Sequence, residues 1–163
     1  MRTQIRMLCC ARAACCAGTG FSAPLNGRAD GPVSEPAAAH RAVIPLPPPQ
    51  ETGATSVEAA LAARRSVRSY ADRPLTMHEL SQLLWAAQGV THPRGLRTAP
   101  SAGALYPIEL SVVAARVTLL PAGIYRYEPD GHRLARIAEG DLRAPLADAA
   151  LGQSPVRKAP AVI

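Results

Sequence analysis

Two short stretches hold the residue types best suited to chemistry. The first is Arg64-Arg65-Ser66-Val67-Arg68. A guanidinium presents a planar fork of donors that matches phosphate or carboxylate oxygens, and a serine hydroxyl adds another donor. In extended backbone alternate side chains share a face, so Arg64, Ser66 and Arg68 can converge on one anion. The same residues also suit a solvated basic helix end, where arginine complements the carbonyl dipole. The second stretch is Pro100-Ser101-Ala102-Gly103-Ala104-Leu105-Tyr106-Pro107. Its small residues let backbone approach a flat ligand closely, with amides facing ring heteroatoms. An ordinary tight loop feeding a strand has the same composition, and both readings stand at this point.

Other chemistries find little footing. The histidines are His40, His78, His92 and His132, and no two have metal-ligand spacing. Each reads as a surface residue. Cys9, Cys10, Cys15 and Cys16 all fall in the first sixteen residues. Adjacent pairs at one end do not staple distant segments, so they form no disulfide framework, and no further zinc ligands follow. No metal site is expected. The chain lacks a GxSxG elbow, an HExxH helix, a Walker loop and a GxGxxG turn.

The formal charge is +6, carried almost wholly by arginine, since Lys158 is the only lysine. The arginines are scattered, with one local cluster and no interleaved aromatics. That pattern favours a small anion site over a nucleic-acid face.

The elements that position these stretches can be read from caps and periodicity. Thr55-Ser56-Val57-Glu58 has the form of a capping box. A short helix should follow, burying Val57, Ala60 and Leu61 and ending near Arg65. Thr76-Met77-His78-Glu79 is a second box, and behind it Leu80, Leu83, Leu84 and Ala87 recur at helical spacing. Gly89 is the expected stop. Residues 91–107 read as loop. Ile108 to Ala114 reads as a strand buried on both faces. Ile124 to Tyr127 and Arg133 to Ile137, around Glu128-Pro129-Asp130-Gly131-His132, read as a β-hairpin. Asp141 to Leu151 reads as a helix closed by Gly152, with Pro145 in its first turn. Ala159 to Ile163 reads as the start of a buried strand, and an ending on such an apolar run implies part of a longer protein.

Three regions result. Residues 1–23 form a signal-like leader, flawed by Arg12 within its apolar stretch, so a cytoplasmic location is favoured over export. Residues 24–54 form a proline-rich linker, extended around Pro45-Leu46-Pro47-Pro48-Pro49. Residues 55–163 form the folded part. No segment has the ~20 apolar residues of a membrane span.

In order, a short helix with RRSVRSYADRPLT, the helix HELSQLLWAAQGV, and TAPSAGALYP leading into a strand resemble the nitroreductase family over residues 56–163. The PSAGALYP form is similar to the SagB/ThcOx-type branch, which oxidises azoline rings in peptides. The likeness implies the amino-terminal half of an α+β, FMN-binding fold that is normally an intertwined homodimer. It implies that Arg64, Arg65 and Ser66 hold the FMN phosphate and ribityl chain. It places Arg68 at the flavin pyrimidine edge, and Pro100, Ser101, Ala102 and Gly103 against the flavin of the other subunit. Hydride transfer between FMN and a small-molecule or peptide azoline is the implied reaction. An NAD(P)H-dependent nitro or quinone reductase and a non-catalytic fragment of the same fold are the alternatives. Ala104 and Tyr106 stand where the wider family often has asparagine and glutamine, which favours the azoline branch. No catalytic acid or base is assigned, Tyr106 included. Neither nucleic acid nor membrane is an expected partner.

Overall fold

The computed structural model describes residues 42–163. The expected leader, with its four cysteines and His40, lies outside the described residues. Strands β1 (Val43–Pro45), β2 (Ser111–Ala114), β3 (Gly123–Glu128), β4 (Arg133–Glu139) and β5 (Ala161–Val162) form one sheet in the order β1-β4-β3-β2-β5. Every pairing is antiparallel. Helices α1 (Val57–Ala63), α2 (Met77–Gln88), α3 (Arg143–Ala149) and α4 (Ser154–Lys158) complete an α+β architecture.

Helix α2 is locally determined. The Thr76 hydroxyl accepts from the Glu79 N–H at 3.2 Å, and the Glu79 carboxylate accepts from the Thr76 N–H at 2.9 Å. Two otherwise orphaned donors are thereby satisfied. Its apolar stripe sends Leu80 and Leu84 into a core with Val112, Ala114, Tyr125, Tyr127 and Leu134. Burying such side chains contributes about 1.5–3 kcal/mol each. Gly89 ends the helix as expected, but its φ of −65° is not left-handed. Glycine is required for space, since an added Cβ would lie 2.2 Å from the Trp85 ring.

Helix α1 differs from expectation in two ways. Its cap is Ser56, whose Oγ accepts from the Ala59 N–H, and Thr55 takes no part in a reciprocal box. It also buries no residue: Val57 is 70% and Leu61 68% exposed. The helix forms from its cap and propensity, while the apolar face that sequence periodicity assigned to a core meets none among the described residues.

Strand β2 is shorter than expected, and only Val112 and Ala114 are buried, in alternation. Both flanks are occupied by strands, but one face is open, so the expectation of burial on both faces fails. The hairpin of β3 and β4 forms as expected, closed by a 3-10 turn at Pro129–Gly131 and a left-handed His132 (φ 44°). Helix α3 starts at Arg143 and keeps Pro145 in its first turn, while α4 was not anticipated. The terminal strand β5 is half-buried at the sheet edge.

Within the expected linker, residues 43–50 lie against the fold. Strand β1 pairs with β4, Leu46 is buried, and Gln50 exchanges hydrogen bonds with Gln82 on α2. His132 holds this segment down. Its Nε2 is 2.7 Å from Ser81 Oγ and 3.0 Å from the Pro47 carbonyl, and its Nδ1 is 2.9 Å from the Tyr127 hydroxyl. A reading of His132 as a plain surface residue is therefore corrected.

Candidate functional site

The arginine cluster divides in the structure. Arg64 closes α1, with its N–H donating to the Leu61 carbonyl. Arg65 folds back on the helix end, its Nη1 donating to the carbonyls of Ala62 at 3.0 Å and Arg64 at 2.8 Å. That is the dipole-complementing role open to any basic helix end. Arg64, Ser66 and Arg68 are exposed. Among the described residues no hydrogen bond or ion pair joins these three to one another.

Arg68 instead lines a groove of about 700 Å³ with Ser69, Arg116, Arg143, Ser154 and Lys158. Ser69 follows Arg68 in the segment after α1, the strand-following turn supplies Arg116, α3 supplies Arg143, and α4 supplies Ser154 and Lys158. Arg116 is anchored by Asp72 at 2.6 Å and by the Lys158 carbonyl at 3.4 Å. Arg143 forks onto Asp141, at 2.7 and 2.9 Å, and donates to the Ala159 carbonyl. These hydrogen bonds hold the Asp141 carboxyl below its usual range and push Arg143 up. Arg68 and Lys158 have no carboxylate partner among the described residues. The groove thus keeps an excess of positive charge on a concave surface. Sequence reasoning missed Arg116, Arg143 and Lys158. Only the general arginine excess hinted at them, because scattered positions become neighbours only through the sheet.

The small-residue loop is strained and open. Ala102–Ala104 form a 3-10 turn, and φ is positive at Gly103 (63°), Ala104 (54°) and Tyr106 (46°). Left-handed backbone at two non-glycine residues costs on the order of 1 kcal/mol or more each and concentrates at functional sites. Ser101 stabilises the bend, its Oγ accepting from the Tyr106 N–H at 2.9 Å. Pro100, Ala102, Gly103, Ala104 and Leu105 are exposed. A Cβ at Gly103 would find only Leu105, at 3.8 Å, so this face of the loop is open. No residue of 100–107 lines the Arg68 groove. One chain does not bring the two stretches together.

Tyr106 points elsewhere. The Arg97 guanidinium lies over its ring, 4.9 Å from the centroid, and the Arg97 N–H donates to its hydroxyl. Arg97 also reaches buried Gln88, its Nη1 donating to Oε1 at 3.3 Å.

Residues 61–163 match the Nitroreductase family. The chain belongs to the nitroreductase family. The protein MJ1384 of Methanocaldococcus jannaschii, named as a nitroreductase, is 46% identical over 107 residues, or 66% of this chain and 54% of that protein. The trifolitoxin operon protein TfxC of Rhizobium leguminosarum bv. trifolii is 27% identical, over 66% of this chain and 34% of its own length. A crystal structure titled as a nitroreductase of Ralstonia eutropha JMP134 superposes with a TM-score of 0.55 at 40% identity, covering 63% of this chain and 46% of that one. Another, from Anabaena variabilis, gives 0.61 at 30% identity, covering 74% and 26%. The chain therefore spans about half of MJ1384 and less of TfxC. The family is one of oxidoreductases that generally use FMN and are usually dimeric. Among the described residues no helix is long and apolar enough to cross a membrane.

Proposed function

We propose that this chain is the amino-terminal part of an FMN-dependent oxidoreductase. The observation that carries the reading is the excess of cations around Arg68. The donor set fits the cofactor: guanidinium and ammonium groups suit a pyrimidine edge that gains negative charge on reduction. Arg68, with Lys158 beside it, would serve that edge. Arg64, Arg65 and Ser66 would hold the phosphate and ribityl chain, and Pro100, Ser101, Ala102 and Gly103 would face the flavin of a second copy, the N–H donors coming from the last three. Val57, Leu61 and Leu105 are exposed apolar side chains that such a copy would cover. When bound, FMN supplies reversible hydride acceptance.

The substrate class we infer is an azoline ring in a small molecule or peptide. Ala104 and Tyr106 in the strained loop carry that branch's pattern, and TfxC takes its name from a toxin operon, a setting that suits a modifying oxidation. The names of MJ1384 and the two solved structures favour nitro reduction as a second reading. A cytoplasmic setting suits either.

Gel filtration of the protein after incubation with FMN tests the cofactor. A flavin absorbance band co-eluting with protein is expected; a colourless protein peak overturns the reading. Assays with a thiazoline peptide and with a nitroaromatic plus NAD(P)H then separate the two substrates.

A further inference from the structure

A second groove, of about 460 Å³, lies between the Tyr106 loop and the tip of the β3–β4 hairpin. That volume is within the roughly 300–1,000 Å³ usual for small-ligand sites. It shares no lining residue with the Arg68 groove. Its floor is apolar, from Leu110 and buried Tyr127. Its walls carry both signs of charge, and most of that charge is matched internally. Glu128 pairs with Arg133 at 2.6 Å, and Glu109 faces Arg126 at 3.6 Å.

Two charges remain. Arg97 has no carboxylate partner among the described residues, and its Nε is buried without any hydrogen-bond acceptor. The guanidinium is positioned by the Tyr106 ring beneath it and by a hydrogen bond to Gln88. Arg97 lines the groove as a cation with no counter-charge among the described residues, and such a cation favours an incoming anion. At the other end Asp130, on the hairpin tip, has no cationic partner among the described residues and is exposed. The groove therefore leaves one cation on its loop wall and one anion on its hairpin wall, above an apolar floor.

We propose that this groove binds an extended peptide bearing both charges, with a carboxylate on Arg97 and an ammonium or guanidinium on Asp130. A free inorganic anion would satisfy only one end. A purely apolar ligand would leave both charges unmatched. The inference rests on the peptide-substrate reading above and deepens it, assigning to Arg97 and Asp130 the choice of sequence around the reacting ring. Both groups bind, and neither takes part in the oxidation.

Isothermal titration of the full chain, without flavin, with a blocked tetrapeptide carrying lysine first and glutamate last, tests it. Binding is expected, weakened about tenfold by Asp130→Asn, by Arg97→Gln, and by replacing the peptide's glutamate with glutamine. Raising salt should weaken it as well. Asp130→Asn leaves no packing behind, so its effect is not one of folding; a thermal melt of Arg97→Gln checks that the Tyr106 loop survives. No binding, or equal binding to the charge-free peptide, overturns the proposal. Because flavin is absent from the titration, these outcomes are independent of whether FMN binds.

Discussion

Ser81 Oγ on helix α2 sits 2.7 Å from His132 Nε2 at the hairpin turn, and both meet the Pro47 carbonyl, at 2.6 and 3.0 Å. Three segments distant in sequence share this knot. One arrangement of hydrogens satisfies every member. The Tyr127 hydroxyl donates to Nδ1, Nε2–H donates toward Ser81 and Pro47, and the serine hydroxyl donates to the Pro47 carbonyl. Burial pushes the Tyr127 hydroxyl up to about 12, so it remains a donor. His132→Ala should lower stability by about 1–3 kcal/mol, since it orphans the buried Tyr127 hydroxyl, and Ser81→Ala by less, since Nε2 and the Pro47 carbonyl keep each other. Urea unfolding measures this, and a change under about 0.5 kcal/mol would mean that the knot contributes little.

Acid should weaken the start of α2. The Arg73 guanidinium, bound to Glu79 at 2.6 and 3.1 Å, is the largest cause holding that carboxyl down at about 2, from 4.5. Because the folded-state value is depressed, the stabilisation is complete above pH 4.5 and is lost as pH falls toward 2. Glu79→Gln keeps a capping side chain and should flatten the stability–pH curve over that window. Equal slopes for variant and parent would refute the assignment.

Glycine at 123 is required by sheet geometry. A Cβ there would stand 2.5 Å from the Ala138 carbonyl oxygen across the β3–β4 pair. Backbone cannot yield as a flexible side chain can, so Gly123→Ala should cost about 1–3 kcal/mol. Gly95→Ala, which meets nothing within 4 Å but sits at φ 79°, separates conformational strain from collision in the same thermal-melt series.

Removing Arg68 should cost cofactor affinity. One charge-assisted contact is worth about 1.5–3 kcal/mol, so Arg68→Gln should raise the FMN dissociation constant about tenfold or more. Arg136→Gln, at a position outside the groove, is the control. Flavin fluorescence quenching reads both, and matched affinities would exclude Arg68 from the site.

How much could be read from the residues alone depends on how local the cause is. Helix α2 was legible because Thr76, Glu79 and its leucine stripe all lie within a few turns. The hairpin was legible from Pro129-Asp130-Gly131 between alternating apolar runs. Strand β1 was not, because Val43–Pro45 has too few residues for periodicity and is fixed by pairing with β4. The role of His132 was hidden for the same reason, since its partners come from residues 47, 81 and 127. At the site, the motif segments were visible, but Arg116, Arg143 and Lys158 join Arg68 only through tertiary structure. The burial expected for Val57 and Leu61 failed because periodicity shows that a face is apolar and says nothing about who covers it.

That uncovered face has a thermodynamic corollary. A seven-residue helix falls below the roughly 12–15 residues that hold together unaided in water. Docking Val57 and Leu61 would freeze the helix, and freezing it would fix the backbone on which Arg64 and Ser66 are carried. Association and ligand capture then draw on the same free energy, and flavin affinity should rise with protein concentration.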